Sequence, residues 1–150
     1  MTAPATVTLR ITLGAGDMDG LGHLNQARYH DLLGVARSRV LTEPFPDRGP
    51  GVPHGTFVVA RTELDYLSEV RLADEWVEVH ARIARVGTKS VTIENAIRRP
   101  DGVVAARGVT TMVAWDREAR RSRTIGDAER VAYGAAVTAA AEASGPSAPS

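Results

Sequence analysis

The chain contains no cysteine, which excludes a disulfide framework, a cysteine-ligated zinc site and a thiol nucleophile. Lysine is nearly as scarce: Lys89 stands alone and every other basic side chain is an arginine. With 18 Lys+Arg set against 18 Asp+Glu the formal charge is zero, so no basic field is available to hold nucleic acid. No apolar run approaches the roughly 20 residues of a membrane helix. The start, Met1-Thr2-Ala3-Pro4, has neither the cationic residues nor the apolar stretch of a signal peptide. These absences lead us to expect a soluble, unprocessed, cytoplasmic protein with no nucleic-acid or membrane partner.

What is present is enough chain for a core and a clear apolar rhythm. At 150 residues a core can be buried without disulfides or metals, and one domain over residues 1–143 is expected, with 144–150 a disordered tail rich in Ser, Pro and Ala. Val7, Leu9, Ile11 and Leu13 alternate with Thr8, Arg10 and Thr12, the period of a half-buried strand. After a glycine-rich turn at 14–16, the apolar set Tyr29, Leu32, Leu33, Ala36, Val40 recurs at three and four residues, which predicts a helix over about 25–42. Pro44 and Pro46 stop it. The irregular stretch Gly49–Gly55, with two prolines and His54, reads as a long connection.

Strands dominate the second half. The patterns predict strands at 57–67, 76–86, 89–99 and 103–115, with turns at Gly87-Thr88 and Pro100-Asp101-Gly102. Strands joined by such short turns pair antiparallel, and the mixed apolar faces of 103–115 suggest a central strand covered on both sides. A second helix is expected from Asp127, read as its N-cap, to about Ala143. One strand, one long helix and then about four strands make an α+β chain with one sheet for the helix to pack against.

The densest chemistry lies between the first strand and the first helix, in Asp17-Met18-Asp19-Gly20-Leu21-Gly22-His23-Leu24-Asn25-Gln26-Ala27-Arg28-Tyr29. Asp and Gly are common in any turn, yet a helix entrance that holds an ionised carboxylate beside a polarised carbonyl would use all of these groups. An aspartate of ordinary pKa, about 3.9, is ionised at neutral pH and can attack a carbonyl carbon or activate water. A helix beginning near Asn25 has up to four unpaired backbone N–H groups in its first turn.

The pattern Asp-x-Asp-x-x-Gly-His-Leu-Asn-x-x-x-Tyr, followed by Arg37, resembles the hot-dog fold acyl-CoA thioesterases of the 4-hydroxybenzoyl-CoA thioesterase type, over about Val7–Ile125. Asp65-Tyr66 and Trp115-Asp116 add weaker support. The resemblance implies an antiparallel sheet of about five strands wrapped around one long helix. It also implies a homodimer with its sheets side by side, or a homotetramer, and hydrolysis of an acyl-CoA or acyl-carrier thioester without metal or organic cofactor. Carried over, the catalytic carboxylate falls on Asp19 and the carbonyl-polarising backbone N–H on Gln26. Gly22, His23, Asn25 and Tyr29 fall on substrate-binding positions.

Several of these residues admit a plainer use. Asp17 suits backbone hydrogen bonds that fix the turn, and Gly20 and Gly22 suit a tight bend. His23 has three readings: orienting Asp19, shuttling a proton to the leaving thiolate, or sealing a subunit contact. Asn25 is at once a natural helix N-cap, and Tyr29 belongs to the apolar helical face. Arg37 is expected to pair with a carboxylate at the sheet or dimer contact. Thr62, Asp65 and Thr111 are candidates for the acyl pocket. Arg85, Lys89, Arg98, Arg99, Arg120, Arg121 and Arg123 sit near hairpin ends, where CoA phosphates could be held or where they are simply surface charge. One departure stands out: relatives usually carry an acid where this chain has Gly34, and a mid-helix glycine costs about 1 kcal/mol relative to alanine. The function expected is thioester hydrolysis, with a non-catalytic acyl-thioester binding module as the alternative. Dehydration of a hydroxyacyl thioester, which needs a histidine and acid pair across the pocket, fits less well.

Overall fold

A computed structural model describes residues 6–45 and 56–144; the expected connection Gly49–Gly55 and the expected tail beyond Ser144 lie outside the described residues. Among the described residues the elements run β1 (Val7–Thr12), α1 (Gln26–Thr42), β2 (Phe57–Tyr66), β3 (Trp76–Val86), β4 (Ser90–Arg98), β5 (Val104–Asp116), β6 (Arg121–Ser122) and α2 (Asp127–Ser144); the order is the one the pattern anticipated, apart from the short β6, which it did not. In space the sheet runs β1-β3-β4-β5-β2, with the two-residue β6 beside β5, and every neighbouring pair is antiparallel. This is the hot-dog fold, a curled antiparallel sheet holding α1 against its inner face.

Alternation explains which face is inner. Val77, Val79, Ala81 and Ile83 of β3 are buried, as are Val91, Ile93 and Ile97 of β4, and they meet Tyr29, Leu32, Leu33, Ala36 and Val40 of α1 in one apolar cluster. The helix face is the one its three- and four-residue spacing defines. β5 departs from expectation. Ala106, Thr110, Met112 and Ala114 are buried, but Arg107 and Val109 are exposed. The strand is central in the sheet yet presents part of its other face to solvent.

β3, β4 and β5 are joined in turn by short connections, as β5 is to β6, so these pair in sequence. β2 instead lands beside β5, at the edge farthest from β1. Its approach there depends on Gly108: a Cβ at that position would stand 1.9 Å from the Glu63 carbonyl oxygen and 3.0 Å from Leu64 Cα. No other residue fits so close to a neighbouring backbone.

α2 closes the end of the core. Tyr133 is fully buried and donates to the Leu41 carbonyl at 2.8 Å, with Phe45 and Phe57 edge-on to its ring. Burial pushes the Tyr133 phenol pKa upward. Asp127 is the first residue of the helix rather than its N-cap. The orphan N–H of Gly126 is met instead by Glu129, reaching back to it at 3.1 Å, as acids at the third helical position often do. Glu129 is buried and bound by Arg123 at 2.5 and 3.0 Å. Among the described residues no helix is long and apolar enough to cross a membrane.

Candidate functional site

The segment between β1 and α1 is held by its own hydrogen bonds. Asp17 accepts from the Gly14 N–H at 2.7 Å through Oδ2 and from Arg28 Nε at 2.6 Å through Oδ1, while its carbonyl accepts from the Asn25 N–H at 2.8 Å. The Gly14 N–H first, and Arg28 second, hold the Asp17 carboxyl below its ordinary pKa. Asp17 therefore ties the turn to the start of α1, the supporting use its position suggested.

Asp19 is built differently. Both of its side-chain bonds go to one oxygen, Oδ1, from the Leu21 N–H at 2.9 Å and the His23 N–H at 3.0 Å. These two amides, His23 first, lower its pKa. Oδ2 takes no part in those bonds and the residue is exposed, so an ionised oxygen faces outward at neutral pH. The bend that brings the two amides round needs Gly22, whose φ is +77°, a left-handed value that glycine adopts without strain. Gly20 has no such requirement.

α1 begins beside this carboxylate. Asn25 is its N-cap, accepting from the Ala27 N–H at 3.0 Å through Oδ1 and from the Arg28 N–H at 2.9 Å through its carbonyl. Those bonds leave the Gln26 N–H as the first-turn donor without a protein partner among the described residues, at the positive end of the helix dipole.

A cavity of about 480 Å³ is lined by Asp19, His23, Gln26 and Tyr29 on one side and by Tyr66, Leu67, Ser68 and Glu69 on the other. Four of the six expected site residues therefore meet in one space. Gly22 and Asn25 shape that space without lining it. Tyr29 is both core and wall, as it is 5% exposed and stacks edge-on against Tyr66 at 5.0 Å. The far wall was not visible in the sequence. Glu69 binds His23 Nε2 at 2.7 Å, a contact created when residues 23 and 71 pair as an isolated bridge and Leu24 donates to the Val70 carbonyl. The His23 ring is thus anchored on Glu69, while only its backbone meets Asp19.

Other expectations are corrected. Among the described residues Arg37 meets no carboxylate on the sheet: it is 8% exposed, its Nη1 is buried without a partner there, and burial lowers its pKa. Asp65 opens instead into a second cavity of about 400 Å³ on the outer sheet face, among Glu63, His80, Arg82, Glu94 and Arg107. Thr111 also faces outward, since its neighbour Thr110 is fully buried. Thr62 alone of those three turns inward, 3.5 Å from the Thr110 hydroxyl. Arg123 serves the buried pair with Glu129, and Arg99 binds Ser68 and Asp101, which takes both out of the pool of phosphate candidates.

A helix cradled by a curled sheet, its N-terminus opening beside a carboxylate, defines the hot-dog class of protein. Residues 13–140 match the model of the thioesterase-like superfamily. The chain belongs to that superfamily, and it is a thioester hydrolase. Among solved structures it is similar to a predicted thioesterase from Bacillus stearothermophilus, with 28% identity, a TM-score of 0.77, and 88% of this chain and 96% of that one covered. It is also similar to a thioesterase from Thermus thermophilus solved with coenzyme A and Zn, at 30% identity and a TM-score of 0.73, covering 84% and 95%. No curated protein matches the chain.

Proposed function

We propose that the protein is an acyl-CoA thioesterase of the 4-hydroxybenzoyl-CoA thioesterase type, hydrolysing an acyl or aryl thioester to the free acid and thiol. The observation that carries this reading is that Asp19 and the unpaired Gln26 N–H line one cavity. The thioester carbonyl oxygen accepts from the Gln26 N–H, a preorganised donor of a kind typically worth about 3 kcal/mol of barrier. Asp19 Oδ2 then either attacks the carbonyl carbon or takes a proton from the water that does. In both routes the C–S bond breaks, the thiolate leaves and gains a proton, and one water is consumed overall. His23, fixed by Glu69, orders the mouth of the cavity near the leaving sulfur. Coenzyme A as the carrier is supported by the thioesterase from Thermus thermophilus solved with it.

The assembly belongs to the same reading. β2 is an edge strand with Val58, Val59, Tyr66 and the adjoining Leu67 exposed, an unpaired row of the kind that seeks a partner strand. A second copy antiparallel to it makes a homodimer with continuous sheets and brings a neighbouring chain over the cavity wall at Tyr66–Glu69. Sedimentation equilibrium should find a dimer or a tetramer; a monomer that turns over substrate would refute this assembly.

The test of the activity is a thiol-release screen of an acyl-CoA series varied in chain length and including aryl members. Hydrolysis of at least one member, with no added metal, is expected. If none is hydrolysed while an acyl-CoA still binds, the protein is a binding module and the catalytic reading fails.

A further inference from the structure

Arg37 is an anomaly on the inner side of α1. A guanidinium is charged at any physiological pH and carries five N–H donors, yet this one is more than nine-tenths buried with Nη1 unpartnered. An uncompensated buried charge is a strong cost to a fold, so a site that keeps one is suited to an anion that is not among the described residues.

The surroundings agree. A cavity of about 160 Å³ beside Gly34 is lined about equally by polar groups, from Arg37, Ser38 and Thr42, and by apolar ones, from Leu41, Phe57 and Met112. Gly34 opens it: a Cβ there would stand 3.7 Å from Arg37 Nη2, so any larger side chain would occupy the approach to the guanidinium. A glycine inside a helix has a propensity cost, and here it has that steric consequence.

The cavity is connected to the candidate site by the helix itself. Gln26, His30, Gly34 and Ser38 recur every four residues and so form one stripe along α1. Gln26 lines the Asp19 cavity, and Gly34 and Ser38 line the Arg37 cavity. Between them His30 meets the Tyr66 hydroxyl at 3.5 Å and shares a shallow depression with Gly34 and Ser38. Gln26 and Arg37 are eleven residues apart, about 16 Å of axial rise. Helical side chains lean toward the N-terminus, which brings the guanidinium nearer to the thioester end.

Resting on the thioesterase reading, we propose that Arg37 is a specificity-determining residue that binds a carboxylate at the far end of the acyl group. The preferred substrates are then mono-thioesters of α,ω-dicarboxylic acids. The acyl chain leaves the carbonyl at the Gln26 N–H, follows the stripe past His30 and enters through the gap at Gly34. A carboxylate paired with the buried guanidinium gains a charge-assisted bond that a methyl end cannot make.

The test compares adipoyl-, suberoyl- and dodecanedioyl-CoA with hexanoyl-, octanoyl- and dodecanoyl-CoA by thiol release, in the wild type, Gly34→Glu and Arg37→Met. In the wild type at least one dicarboxylic thioester should exceed its matched partner in kcat/KM by about ten- to a hundredfold. Arg37→Met should abolish the preference with thermal stability kept or raised, since it removes an unpaired buried charge. Gly34→Glu, which places a carboxylate three residues before Arg37 and in the approach to its guanidinium, should also abolish it. Hydrolysis of both series without preference, or a preference that survives Arg37→Met, overturns the assignment and leaves the thioesterase reading standing. If the two variants alter the dimerisation constant and not the preference, the anion is a carboxylate of a second copy and the assignment also falls. Hydrolysis of neither series refutes the thioesterase reading itself.

Discussion

Replacing each aspartate of Asp17-Met18-Asp19 by asparagine should separate chemistry from support. Asp19 receives both loop amides on Oδ1, and asparagine retains such an oxygen. Asp19→Asn therefore keeps the turn and loses the charge, so the melting temperature should move by no more than a degree or two. Turnover of the best acyl-CoA should fall at least about a hundredfold, the lower range for a lost general base, with KM changed far less. Asp17 uses both oxygens, one for the Gly14 N–H and one for Arg28. Asparagine has a single acceptor, so one bond is lost and its NH₂ group is set against a donor. Arg28 is 40% exposed, and solvent screening moves the cost to the lower end for a charged bond, about 1–2 kcal/mol. For a chain of this size that lowers the melting temperature by about 2–8 °C, with turnover per folded molecule retained. Thiol-release kinetics and thermal melts of the two variants decide the matter. If Asp19→Asn turned over normally and folded Asp17→Asn were inactive, the roles of the two carboxylates would be reversed.

Gly108→Ala should fail to fold or melt far below the wild type, since overpacking already costs about 1–3 kcal/mol in adaptable cores and here the added carbon meets backbone at 1.9 Å; a melt within a few degrees of wild type would disprove the close approach. Tyr133→Phe leaves the Leu41 carbonyl without its donor and should cost about 1–3 kcal/mol by denaturant unfolding. A value near zero would mean the hydroxyl has no structural part. Asp17 and Asp19 both have pKa values lowered in the folded chain, so the stability from Asp17 is complete above its unfolded value, about 3.9, and is lost as pH falls through the lower folded value. Melting temperature should accordingly hold from pH 7 to about pH 5 where this group is concerned, and the acid-side loss should be smaller in Asp17→Asn than in the wild type. By the same sign, the acidic limb of kcat/KM should lie below about pH 3.9; a limb centred at about pH 5 or above would rule out Asp19 as the group that must be ionised.

The parts of the fold that local spacing encodes were legible. Tyr29, Leu32, Leu33, Ala36 and Val40 are buried as their helical spacing requires, and Val77 to Ile83 alternate into the core. Asn25 caps α1 because its side chain has the reach and the acceptor for that use. Choices made between distant segments were not legible. Nothing in Phe57–Tyr66 specifies that the strand joins β5 rather than β3, and the alternation in β5 does not show that Val109 is exposed. Glu69 resembles any surface acid until the 70–71 segment pairs beside His23. Arg37 shows the limit most sharply: the family pattern pointed to a carboxylate partner at the sheet or dimer contact, but none meets it on the sheet among the described residues, which no spacing rule reveals.

The two sides of the Asp19 cavity come from different stretches of chain. The carboxylate, the bend at Gly22, the cap at Asn25 and the Gln26 amide all lie within Asp17–Tyr29 and are fixed by bonds made inside that stretch or to the turn just before it. The opposing wall, Tyr66–Glu69, is the end of an edge strand on the far side of the sheet. The two walls are therefore separately mutable. Drift or recombination in the β2 segment can reshape one side of the cavity while Asp19 and the Gln26 amide stay in register on the other, so such a chain can vary the space without disturbing the helix entrance.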